Sequence, residues 1–68
     1  MSRSEAEVVL ASQRVKAEYT EMPGRGLTGA QAARLFGLDR DTTDTVLRAL
    51  EANGFLHRRR DGRFVLRS

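Results

Sequence analysis

The sequence predicts an α+β fold of three helices followed by a two-stranded β-hairpin. Three observations carry it: three segments with apolar residues at helical spacing, a change to strand period after Gly54, and an Asp61-Gly62 pair between two short strand-like runs. The 68 residues are read as one domain, 1–68, because surface-to-volume scaling leaves so short a chain a single hydrophobic core. At 40% hydrophobic and 31% charged residues the chain has the makeup of a folded domain rather than a disordered tail. It has no cysteine, so neither a disulfide nor a thiolate cluster can supplement that core. No apolar run is long enough to cross a bilayer, and residues 8–11 are too short and too acidic in their flanks for a signal peptide. A soluble, cytoplasmic protein is expected.

Helix one is expected over about 5–22. Ser4-Glu5-Ala6-Glu7 has the form of a capping box, and Val8, Ala11, Val15, Tyr19 and Met22 recur as one apolar stripe until Pro23-Gly24 stops the helix. Val9 and Leu10 lie off the stripe and are expected to widen the buried face; the alternative is an apolar patch open to a partner. Thr28-Gly29-Ala30-Gln31 forms a second capping box, with Leu27 stapled back onto the first turn. The helix it opens, about 29–36, carries Ala32, Leu35 and Phe36 inward and ends at Gly37. The short Gly37-Leu38-Asp39 link forces a sharp turn into a third helix, a pairing that reads as helix-turn-helix. Asp39 or Asp41 caps helix three, about 41–53, whose inward face is Thr43, Val46, Leu47 and Leu50 before the Asn53-Gly54 stop.

The hairpin is expected over about 55–67, and its register follows from parity. A two-residue loop would pair Arg59 with Phe64, whereas a three-residue loop of Arg60, Asp61 and Gly62 pairs Leu56 with Leu66 and puts Phe64 on their face. The second choice buries three apolar residues together and sets Gly62 in the left-handed position of a bulge.

Charge is unevenly placed. Residues 1–56 hold seven basic and eight acidic side chains, while residues 57–68 hold five arginines and one aspartate. The whole excess of +3 is therefore C-terminal, a distribution that favours an anionic partner. Eleven of the twelve basic residues are arginine, the side chain suited to bidentate contact with phosphate and guanine.

Three helices followed by an arginine-rich hairpin resemble the winged helix-turn-helix family. The segment LTGAQAARLFGL, residues 27–38, is similar to that family's second helix and turn, and TTDTVLRALEANGFL, residues 42–56, to its third helix and stop. The stretch AEYTEMPGRGLTGAQAARLFGL is also similar to one in compact bacterial proteins of this type. The resemblance spans roughly residues 15–67 and rests on helix spacing and turn residues rather than on invariant chemistry. It implies duplex-DNA binding, with helix three in the major groove and the hairpin wing on the backbone or in the minor groove. On that mapping Arg40, Asp41, Thr42, Asp44, Thr45 and Arg48 face the groove, and Thr28 with the first amides of helix two suits a phosphate. Against Arg40 and Arg48, the segment 39–51 also carries Asp39, Asp41, Asp44 and Glu51, so the positive surface falls to the wing: Arg58, Arg59, Arg60, Arg63 and Arg67. A transcriptional regulator or accessory DNA-binding factor is expected, with a homodimer through helix one or a protein partner as further associations.

Other chemistries lack their parts. One histidine and no cysteine cannot furnish a zinc site, so His57 is read as a strand residue. Ser12, His57 and the scattered aspartates form no nucleophile motif, and Gly24, Gly26 and Gly29 are not read as following a strand in the manner of a phosphate-cradling loop. Neither an enzyme nor a cofactor is expected. Tyr19, Phe36, Phe55 and Phe64 are assigned to the core rather than to base stacking. The rival reading is a winged-helix protein-interaction module that presents the acidic third helix to a partner; RNA binding through the same wing is not separable from DNA binding at this level.

Overall fold

The computed structural model describes residues 5–67. Its elements are α1 (Glu5–Glu21), β1 (Gly26–Leu27), α2 (Gly29–Phe36), α3 (Arg40–Ala52), β2 (Leu56–Arg58) and β3 (Phe64–Leu66). Three helices pack with a small antiparallel sheet of strand order β1-β3-β2, an α+β architecture. The capping box proposed at Ser4 lies outside the described residues.

The core draws on every element: Ala11, Val15 and Tyr19 of α1, Leu27 of β1, Ala32 and Phe36 of α2, Val46, Leu47 and Leu50 of α3, Leu56 of β2 and Phe64 of β3. In α1 the buried residues stand four apart and make a narrow stripe, with Val8 packed at its edge. Val9 and Leu10 do not widen that face; they are 52% and 61% exposed. At about 100° per residue they point away from Ala11, and α1 packs on one side only. Met22, also assigned to the stripe, lies past the end of α1 and is exposed. Lys16 Nζ stands 5.5 Å from the centre of the Phe55 ring and the Arg14 guanidinium 6.0 Å from that of Phe36, so two long side chains of α1 cover the edges of core aromatics.

The second capping box forms in full: Gln31 N donates to Thr28 Oγ1 at 3.1 Å, and Thr28 N donates to Gln31 Oε1 at 3.0 Å. Gly37 ends α2 in the left-handed region, φ 66°, where a glycine carries no Cβ penalty. Leu38 N then donates back to Ala33 O at 2.9 Å, closing the turn. Leu35, expected inward, is 46% exposed, because Ala32, Ala33 and Phe36 already fill the contact of α2 with its neighbours. Asp39 caps α3, accepting from Thr42 N at 3.1 Å, which starts the helix at Arg40.

The hairpin has the register that parity favours, Leu56 opposite Leu66, His57 opposite Val65 and Arg58 opposite Phe64. Gly62 N donates to Arg59 O and sits at φ 88° in the left-handed position. The sheet, however, has three strands rather than two. Gly26 and Leu27 pair with Val65 and Phe64 along the other side of β3. Gly26 makes room for this: a Cβ there would stand 3.3 Å from Val65 Cγ1. Two residues carry too little periodicity to announce a strand, and Leu27, placed as a staple, is buried against Phe64 instead. No helix among the described residues is long and apolar enough to cross a membrane.

Candidate nucleic-acid interface

α3 is amphipathic by necessity. Thr42, Thr43, Val46, Leu47 and Leu50 are buried, which leaves Arg40, Asp41, Asp44, Thr45, Arg48 and Glu51 on the open side. Arg40, Asp44 and Arg48 are spaced by four and form one line along the helix. Across from that line stands the hairpin. Arg58 pairs with the core residue Phe64 and shares the sheet face that carries Leu56 and Leu66, yet at the loop end of β2 it is itself exposed. The result is an open groove of about 280 Å³ lined by Gly29, Arg40, Asp44, Arg48, Arg58, Gly62 and Phe64. Three guanidinium groups and one carboxylate face it.

The Arg40–Asp44 pair is seated on the first residue of α2. Arg40 Nε lies 3.6 Å from Asp44 Oδ1, an ion pair longer than a hydrogen bond. A Cβ on Gly29 would stand 2.9 Å from that same oxygen and 3.1 Å from Arg40 Nη2, so the pair occupies the space that a side chain would take. Both contacts are with the far ends of flexible side chains. Gly29→Ala is therefore expected to displace the pair with little change in melting temperature, since the contacts yield and the helix-interior advantage of alanine, about 0.5–1 kcal/mol, does not apply in full at the first residue of α2. Circular-dichroism melts and the NMR shift of Arg40 Nε–H check the two halves.

The structure brings Arg40, Arg48 and Arg58 together and places the other candidates elsewhere. Arg59, Arg60 and Arg63 are exposed at the hairpin loop beside the groove. There the exposed Asp61 folds back on its own loop: its Oδ1 accepts from Arg63 N at 3.0 Å and its Oδ2 lies 3.9 Å from Arg63 Nε. Arg67 is exposed beyond β3, and His57 faces away from the core. Thr45 is exposed, its hydroxyl donating to Asp41 O at 2.9 Å. Thr28 is half-buried beside Gly29, with its oxygen already accepting in the cap.

Thr42 corrects the sequence reading. It is only 4% exposed and does not face the groove. Its hydroxyl donates to Asp39 Oδ1 at 2.8 Å while its amide donates to the other oxygen, so it completes the cap of α3. Gly29, Gly62 and Phe64 are lining residues that sequence reasoning did not find. Gly29 does follow a strand, β1, and the single residue between them, Thr28, has its amide and oxygen engaged in the cap. Comparison with family models, curated proteins and solved structures finds no significant match to this chain.

Proposed function

We propose that this chain is a winged helix-turn-helix protein that binds duplex DNA, with α3 entering the major groove and the β2–β3 hairpin serving as the wing. The observation that carries the reading is the convergence of Arg40 and Arg48 from α3 with Arg58 from the hairpin on one groove, beside the exposed Arg59, Arg60 and Arg63. Arginines from two elements set around one concave surface suit a polyanion whose base edges and phosphates lie a few ångströms apart. Transcriptional regulation, or an accessory role in DNA transactions, is the function such binding serves.

Fluorescence-anisotropy titration of a random duplex at two salt concentrations tests this. The wild type is expected to bind and to weaken steeply with salt. Changing Arg58, Arg59, Arg60 and Arg63 together to alanine is expected to cost more than about tenfold in affinity and to flatten the salt slope, by about one unit for each phosphate that is no longer neutralised. The open side of α3 also presents Asp41 and Glu51, which favours a second reading in which that helix meets a basic protein surface. A wild type that binds no duplex at low salt would replace the first reading with the second.

A further inference from the structure

We propose that Asp44 makes the α3–hairpin groove select base edges over phosphates, and in particular a cytosine amino group flanked by acceptors for the arginines. The inference rests on the duplex-DNA reading and deepens it. Among the described residues, Asp44 is the single acid lining a groove that otherwise presents Arg40, Arg48 and Arg58. It lies between two of them, four residues from each, along one helix face.

A carboxylate only accepts hydrogen bonds, and so does a phosphate. A phosphate drawn in by the arginines meets a like charge at Asp44 with no donor to offer it. A base edge bearing an amino group satisfies the carboxylate and leaves guanine or thymine acceptors for the arginines. Cytosine presents its N4 amino group as its major-groove hydrogen-bonding feature, whereas adenine adds the N7 acceptor, which would face the carboxylate. Asp44 keeps the capacity to accept, because its contact with Arg40 Nε is 3.6 Å long and involves one oxygen.

The hairpin loop is built the other way. Its acid, Asp61, has one oxygen taken by the Arg63 backbone amide, while the loop's guanidinium groups are exposed. The loop fits phosphates and the groove fits bases. Along α3 the three groove residues are about 6 Å apart, close to two base pairs per step, so they sample a stretch of about four base pairs.

The experiment selects duplexes from a randomised pool with the wild type, Asp44→Asn and Asp44→Ala, sequences what is retained, and measures the affinity of each for random duplex at low salt. Melting curves confirm that the variants fold. The wild type is expected to enrich a cytosine with guanines about two base pairs to either side. Asp44→Asn is expected to shift that position toward adenine, which an amide contacts bidentately, and Asp44→Ala to lose the preference. Both should bind random duplex about threefold or more tightly, since a repulsive charge is gone. If the wild type binds duplex but Asp44→Asn and Asp44→Ala keep its base preference and its random-duplex affinity, this inference is overturned and the DNA reading stands. A wild type that binds no duplex overturns both.

Discussion

Leu47→Ala is expected to unfold most of the protein at room temperature. Leu47 is fully buried at the centre of the cluster that joins α3 to the other elements. Truncating such a leucine costs about 2–5 kcal/mol, the forfeited transfer energy plus the cavity left behind. A single core in a chain this short supplies only about 3–5 kcal/mol of net stability, so the substitution removes most or all of it. Leu10→Ala and Leu35→Ala serve as internal controls. Both leucines are about half exposed, and each change is expected to stay within about 1 kcal/mol. Urea titrations followed by circular dichroism read all three, and a Leu47→Ala protein that melts like the wild type would contradict the packing described.

Alkali is expected to unfold the domain through one group. Tyr19 is fully buried, and its hydroxyl donates to Phe64 O at 2.6 Å, tying α1 to β3. Burial pushes its phenol up from 10.0 to about 12, against smaller opposing pulls from the Leu27 backbone and the Arg25 guanidinium. A raised acid pKa means that the folded state holds the proton after the unfolded state has released it. The associated stability is complete below pH 10 and falls as the pH rises toward 12, by about 3 kcal/mol in all. Tyr19 is the one tyrosine and there is no tryptophan, so tyrosinate absorbance reports this residue alone. Ionisation should coincide with loss of helical circular dichroism. Tyr19→Phe should lower stability near neutral pH by about 1–3 kcal/mol, leaving Phe64 O one donor short, and should remove the Tyr19 part of the alkaline slope.

These two residues also show why a small fold can hold an open charged groove. The core elements are fixed by contacts that lie behind α3, through Leu47, and behind β3, through Tyr19. The groove side is left with the exposed side chains of Arg40, Arg48 and Arg58. Gly29 and Gly62 keep the walls low at either side, one by leaving space for the Arg40–Asp44 pair and the other by turning the hairpin loop.

The parts governed by local chemistry can be read from neighbouring residues. Capping at Thr28, Asp39 as one of two candidate caps, the stop at Gly37, the left-handed glycines at 54 and 62, and the hairpin register were legible because each depends on residues a few positions apart. Spacing likewise identified the inward face of α3. The tertiary structure alone decided which surfaces had a neighbour. β1 exists because β3 offers it an edge, a pairing across nearly forty residues that no local pattern encodes. Leu10 and Leu35 are apolar yet exposed, since nothing among the described residues packs over them. Thr42 looked open on a helical wheel but is drawn under the cap by Asp39. The groove is a property of the same kind: Arg40 and Arg48 were readable as a helix face, but their meeting with Arg58 and Gly29 required α2, α3 and the hairpin to close on one core. Local hydrogen bonding is written in adjacent residues, whereas burial depends on what the rest of the chain brings alongside.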